Sequence, residues 1–337
     1  MTNDRFGLQP HLEHLYAEPP RRLALRAETP DEFRAWQREL RTELVRLLGL
    51  AGRSRPTPAA EQLSADDRGE YVEQKWALDV GEGVAAPMYL LVPKADPPYA
   101  PVLVFHGHSP SVQYVLGNFP DEQTARERLD HDANYAQQLA RQGYFVCAVE
   151  QRGFGERQSA VPEGVNSCRH LAFSYLLHGR TLLGERCRDG QCAIDYLRTR
   201  DDLTAPLAAT GNSGGGTTTL WLSAVDERVG VVMPSCYFCS LKGSILGVRH
   251  CECNYVPGIL EICEMGELAA SLAPRPFRAI AGEHDDLFPV AQVREQFETV
   301  RRAYRLLGTA DRCSLAVHPG PHAYSHILAA EWLRRWM

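Results

Sequence analysis

No stretch of the 337-residue sequence approaches the run of about 18 apolar residues that a membrane-crossing helix needs. That argues against a helical span and against a membrane partner. There is no Lys/Arg run either, and 36 basic residues face 42 acidic ones for a net charge of −6. Nucleic-acid binding wants a basic patch, so the charge balance gives that class no support. The opening residues MTNDRFGLQPHLEHLYAEPP hold no apolar core of the kind a secretion signal carries. The ten cysteines are accordingly expected as reduced thiols in a cytoplasmic protein, not as a disulfide framework. Internal repeats and low-complexity segments are also missing. What is present is 44% hydrophobic residues, enough for a sizeable core.

The chain reads as strands alternating with helices. Residues 1–28 form a polar arm containing Pro19-Pro20. A helix then starts with Thr29 as N-cap, Pro30 in its first turn and Glu32 at the capping-box position. Phe33, Trp36, Leu40, Leu44, Leu47 and Leu48 follow at helical spacing, and Gly49 is the stop. Residues 51–70, rich in Pro, Ser, Asp and Arg, read as a linker. Tyr71–Val80 and Val84–Val92 form a hairpin around Gly81-Glu82-Gly83. Downstream, strands are expected at 101–105, 144–149, 206–210, 229–233, 277–281 and 314–317. Helices are expected at 131–142, 169–200 (broken near Gly184), 264–272, 291–307 and 325–336. Such alternation implies right-handed crossovers and a mainly parallel sheet with helices on both faces. The division is an N-terminal helical extension and linker over 1–70 and an α/β catalytic domain over 71–337.

One string stands out: Gly211-Asn212-Ser213-Gly214-Gly215-Gly216, between a short apolar strand and a helix. Strand, G-x-S-x-G, helix is the context of a nucleophile elbow, where a serine sits on a turn too tight for bulky neighbours. The competing reading is a phosphate-holding loop at a helix N-terminus. A serine hydroxyl needs a base, and the base needs a carboxylate, in the chain order Ser, acid, His. The strand at 277–281 is followed by Glu283, Asp285 and Asp286; spacing leaves all three open, with Asp285 preferred. The strand at 314–317 is followed by His318, His322 and His326, of which His322 lies in the loop where it can turn back over the sheet edge. An oxyanion needs two backbone donors: the N–H of Gly214 and, from His106-Gly107-His108 after the strand at 101–105, the N–H of His108. Four signals in the right order outweigh the phosphate-loop reading.

These residues resemble the α/β-hydrolase superfamily, and more narrowly its acetylxylan esterase-like branch, related to dienelactone hydrolase. The resemblance rests on His106-Gly107-His108, Asp130-His131-Asp132-x-Asn134-Tyr135, Gln151-Arg152-Gly153-Phe154-Gly155-Glu156 and the elbow. It continues through Cys253-Asn254-Tyr255-Val256-Pro257-Gly258, Ala273-Pro274-Arg275-Pro276, Gly282-x-x-Asp285-x-x-Phe288-Pro289 and His322. It implies the α/β-hydrolase fold, with Asp285 as the acid because the branch's acid matches the fourth residue of the G-x-x-D-x-x-F-P string. It also implies hydrolysis of a small-molecule carboxylic ester, of acetyl or sugar-like type, with no cofactor. The alternatives are a prolyl-oligopeptidase-like peptidase, for which 70 N-terminal residues are too few to build a gating domain, and a non-catalytic or zinc-containing binding protein.

The zinc alternative comes from Cys236-x-x-Cys239, His250-Cys251-x-Cys253 and Cys263. The reading preferred is a buried loop lining the pocket, without metal. His106, Arg152, Tyr237 and Tyr255 are candidate pocket residues. For Arg152 a buried ion pair with Glu156 or Asp132 is the favoured alternative.

Overall fold

The computed structural model describes residues 6–17, 21–161 and 164–337. Nine strands form one sheet: β1 Ala60–Asp67, β2 Tyr71–Asp79, β3 Ala85–Pro93, β4 Pro101–Phe105, β5 Phe145–Val149, β6 Leu207–Asn212, β7 Val229–Ser235, β8 Phe277–Gly282 and β9 Cys313–His318. Their order is β1-β2-β3-β5-β4-β6-β7-β8-β9. The strands from β5 to β9 in that order run parallel, and β1, β2 and β3 add antiparallel pairs at one edge. Eleven helices are described: α1 Gln9–Ala17, α2 Pro30–Leu47, α3 Glu122–Leu129, α4 Tyr135–Arg141, α5 Cys168–Leu176, α6 Leu182–Leu197, α7 Gly214–Val225, α8 Ile259–Ile262, α9 Met265–Ala270, α10 Val290–Leu306 and α11 His326–Trp336. None of the helices among the described residues is long and apolar enough to cross a membrane.

The central strands read as unbroken apolar runs because both faces are covered. Their side chains still alternate. Leu103, Phe105, Phe145, Cys147 and Val149 enter the core under α2, α6, α7 and α10. Val102, Val104, Val146 and Ala148 enter the opposite core, with Tyr135, Leu139, Trp332 and Leu333 of α4 and α11. A two-residue period thus divides each strand between two helical layers.

The N-terminal helix follows its signals. Thr29 and Glu32 close a reciprocal capping box, and Phe33, Trp36, Leu40 and Leu44 are buried. They join the larger core, so α2 packs as part of the α/β unit. Pro19-Pro20 lies outside the described residues. Several expectations need correction. Residues 60–67 are not linker but edge strand β1, paired antiparallel with β2. All but one of its residues are exposed, so no apolar alternation marked it. Helix α3 was not expected: it is mostly polar and none of its residues is buried. The helix expected over 131–142 starts only at Tyr135, because Asp132 sits at φ +51°, outside helical geometry.

The break in the helical stretch falls between α5 and α6, not at Gly184. Thr181 caps α6 by accepting the Gly184 N–H at 2.9 Å. Gly184 is there for contact: a Cβ would lie 1.9 Å from the Leu48 carbonyl at the end of α2. Backbone on both sides leaves no room to yield. Gly184→Ala is therefore expected to destabilise the fold by about 1–3 kcal/mol or more, read as a lowered urea midpoint at unchanged slope.

Candidate active site

Parallel strands release their loops at one edge, and the strand order decides which loops meet there. β6 lies between β4 and β7, followed by β8 and β9. The elbow after β6 is thus flanked by the His106-Gly107-His108 loop on one side. On the other lie the segments after β7, β8 and β9. Ser213 has φ +55° and ψ −121°, a strained conformation for a residue with a Cβ. Its N–H donates to the Ser235 carbonyl at 2.9 Å. Helix α7 starts at once, and every residue of it is buried. A Cβ at Gly215 would lie 2.0 Å from the Phe105 carbonyl, and one at Gly211 2.4 Å from the same oxygen. Only glycine allows β4, β6 and α7 to converge so closely. The Gly214 N–H belongs to the first turn of α7, where an amide has no acceptor within the helix and the helix dipole is positive.

Two tyrosines brace this convergence from below. Tyr135 donates its hydroxyl to the Phe105 carbonyl at 2.7 Å and stacks on Tyr324, with centroids 4.2 Å apart. Tyr324 shares a 3.0 Å hydrogen bond with the Thr210 hydroxyl. Burial pushes both phenols above their ordinary range, so they stay neutral.

The loops after β8 and β9 are tied together: Glu283 N–H donates to the His318 carbonyl at 2.9 Å and His284 N–H to Gly320 at 3.1 Å. Between them the His322 Nδ1 meets Asp285 Oδ2 at 2.8 Å. The other Asp285 oxygen accepts the N–H groups of Leu287 and Phe288 at 2.9 and 3.0 Å. Burial acts to raise the Asp285 pKa. The bond from His322, its charge when protonated and the two amides outweigh that and hold the carboxyl below its ordinary value. Phe288 stacks on the imidazole, centroids 5.7 Å apart. Asp285 is buried, whereas Glu283 and Asp286 are exposed. His318 is occupied by the Gly320 N–H and the Ala323 carbonyl, and His326 lies 2.8 Å from Asp132. Among the carboxylates and histidines left open by spacing, the structure joins Asp285 to His322.

Ser213, Gly214, His108 and His322 line one cavity of about 450 Å³. Four candidate pocket residues, His106, Arg152, Tyr237 and Tyr255, do not line it. His106 is fully buried, with Nε2 accepting the Gln151 N–H at 3.0 Å and lying 2.9 Å from Glu150. Arg152 is paired with Asp189 at 2.8 Å and Glu185 at 3.0 Å, not with Glu156 or Asp132. Tyr237 is buried, with its hydroxyl accepting the Trp221 indole N–H at 2.8 Å. Tyr255 lines a neighbouring cavity and donates to the Ile245 carbonyl. Sequence reasoning missed Arg128, His131 and Arg249, which also line the cavity, the two arginines adding positive charge. No spacing rule pointed to them, since they come from a polar helix end, a turn and an irregular segment.

Beside the triad-like group lies Cys236, at φ +47°, with its thiol donating to the Ala323 carbonyl at 3.1 Å. Burial, with the nearby Asp285 charge, pushes this thiol up to about 12. Only a thiolate reacts quickly with alkylating agents. Cys236 is therefore expected to stay unmodified by iodoacetamide near pH 8 until the protein unfolds, checked by peptide mass mapping.

The profile of the Abhydrolase family matches residues 15–325. The chain belongs to that family. This abhydrolase is 28% identical over 309 residues to YtaP of Bacillus subtilis (strain 168), which is assigned as a hydrolase; the match covers 89% of this chain and 99% of that one. A Bacteroides fragilis NCTC 9343 protein assigned as an acetyl xylan esterase superposes with TM-score 0.81 and 17% identity, over 97% of this chain and 94% of the other. A glucuronoyl esterase from Solibacter usitatus superposes with TM-score 0.67 and 15% identity, over 94% and 96%. At such identities the two structures establish a shared α/β-hydrolase fold.

Proposed function

We propose that this abhydrolase cleaves a small carboxylic ester through an acyl-enzyme on Ser213. The observation that carries the reading is the hydrogen-bonded His322–Asp285 pair, whose His322 lines the same cavity as a serine held in a strained elbow. In this mechanism Ser213 Oγ attacks the ester carbonyl while His322 Nε2 takes its proton. Asp285 holds the imidazole in the tautomer with hydrogen on Nδ1 and stabilises it once charged. The N–H groups of Gly214 and His108 receive the developing oxyanion. His322 then protonates the leaving alcohol, and later activates the water that frees the acid. None of these steps needs a cofactor. An acetylated or otherwise esterified sugar is the substrate class favoured, since the superposing proteins are named as acetyl xylan and glucuronoyl esterases.

A fluorophosphonate probe tests the nucleophile directly. The expected adduct maps to Ser213 and disappears on prior unfolding. A fully folded protein that takes up no label at Ser213 would rule the mechanism out.

A further inference from the structure

The cysteines expected to cluster do not do so together. Cys236 sits by Asp285, Cys239 donates to the Pro289 carbonyl, and Cys263 is buried in the main core. Instead, Cys251 and Cys253 meet His108 from the loop after β4, and the donor atoms of these three lie within 4.8 Å of one another. The His108 Nε2 is 3.3 Å from Cys253 Sγ. A fourth donor comes from the start of α5: Cys168 shares a buried cluster with Cys253, and Cys251 packs against that cluster. We propose that His108, Cys168, Cys251 and Cys253 form a structural zinc site.

The donor set is what zinc selects: three thiolates and one imidazole, four protein ligands and no open position. Tetrahedral zinc, with bonds of about 2.3 Å to sulfur and 2.0 Å to nitrogen, sets donor separations of roughly 3.5–3.8 Å. His108, Cys251 and Cys253, with donor atoms within 4.8 Å of one another, would tighten to that spacing on binding, and Cys168, outside that group, would turn in to complete it. No disulfide competes, since Cys168, Cys251 and Cys253 are all free thiols.

An independent observation supports an anionic cluster. Arg186, on α6, is only 1% exposed, and no carboxylate pairs with it among the described residues. A buried cation without an anion is costly. Arg186 instead donates to Cys168 Sγ at 3.2 Å and to the Arg152 carbonyl at 2.7 and 3.1 Å. Three thiolates around Zn²⁺ leave one net negative charge, which this guanidinium would balance as an outer partner of the site. Binding displaces the thiol protons to solvent, so no redox partner is needed.

The site would staple three segments that are remote in sequence; Cys253 and His108 are 145 residues apart. One of them is the loop that carries the His108 N–H beside Ser213. The metal's part is to hold that loop, and no chemical step passes through it.

The test uses the full chain, produced in zinc-supplemented medium and purified without chelator. Elemental analysis is expected to find about one zinc per chain, lost in the double variant Cys251→Ser, Cys253→Ser. Replacement by Co²⁺ is expected to give intense visible bands of a tetrahedral centre with thiolate-to-cobalt charge transfer. His108→Gln should shift those bands. Metal-free wild-type protein that gains no thiolate charge transfer on Co²⁺ addition would overturn the site. So would zinc retained undiminished in a folded double variant. Should the double variant fail to fold, the wild-type zinc content and cobalt spectrum still decide.

Discussion

Ser213→Ala is expected to cut kcat for p-nitrophenyl acetate by about 10⁵–10⁶-fold, leaving only what binding and the oxyanion donors contribute. The size follows from the role: without the hydroxyl there is no acyl-enzyme, and His322 has no proton to take. The substitution should leave the fold intact. Ser213 holds its φ of +55° through its backbone bond to Ser235, and alanine meets the same backbone strain as serine. Among the described residues, no hydrogen bond runs through its hydroxyl; only its backbone is bonded. The unfolding midpoint should therefore move by no more than about 0.5 kcal/mol. Equal turnover by wild type and variant would sink the proposed chemistry.

The second large effect is expected at Asp285. Asp285→Asn should lower kcat by about 10⁴-fold, because an amide can present its N–H₂ to Nδ1 and favour the wrong imidazole tautomer. Asp286→Asn, one residue away but exposed, should change turnover less than about twofold. A reversed ranking would mean that the acid had been misassigned. Stability gives a second readout. The folded Asp285 carboxyl is held below its ordinary value of 3.8, with His322 and two amides outweighing burial. A lowered carboxyl contributes stability that is fully present above the unfolded value and is lost as pH falls through the folded one. The stability of wild type relative to Asp285→Asn should therefore be constant above about pH 5 and shrink as pH drops below about 4. Urea midpoints across that range measure it.

The two carboxylates show why spacing alone could not choose between them. Both lie on the loop after β8 and both could reach an imidazole. The turn after Gly282 directs Asp285 inward, where Leu287 and Phe288 present their amides, and leaves Asp286 in water. The resemblance to a known string preferred Asp285; its burial and its bond to His322 are properties of the folded loop. Arg152 shows the opposite situation. Its place after β5 at the sheet edge fitted a substrate contact, but Asp189 and Glu185 on α6 hold it inside the protein. Two acids one helical turn apart on a facing helix left no mark that a reading of the β5 loop could use.

The same distinction separates β1 from the central strands. β4 through β8 are largely buried, β9 is half-buried, and all are apolar enough to be visible as strands. β1 gains its place from backbone pairing with β2, which composition does not record. The elbow was legible because its demands are local: a strand, two glycines where a Cβ would strike the Phe105 carbonyl, and a helix that begins at once. The chain order of Ser213, Asp285 and His322 was legible because each follows a strand of one parallel sheet. Tertiary structure alone decided what lies across from them. His108, Cys168, Cys251 and Cys253 come from three separate segments, and only the packing of α5 and the β7–α8 segment against the β4 loop brings the donors of His108, Cys251 and Cys253 within 4.8 Å of one another, with Cys168 in the adjoining buried cluster. Contacts between remote segments depend on where each side chain ends in space, and no local period of the sequence encodes that.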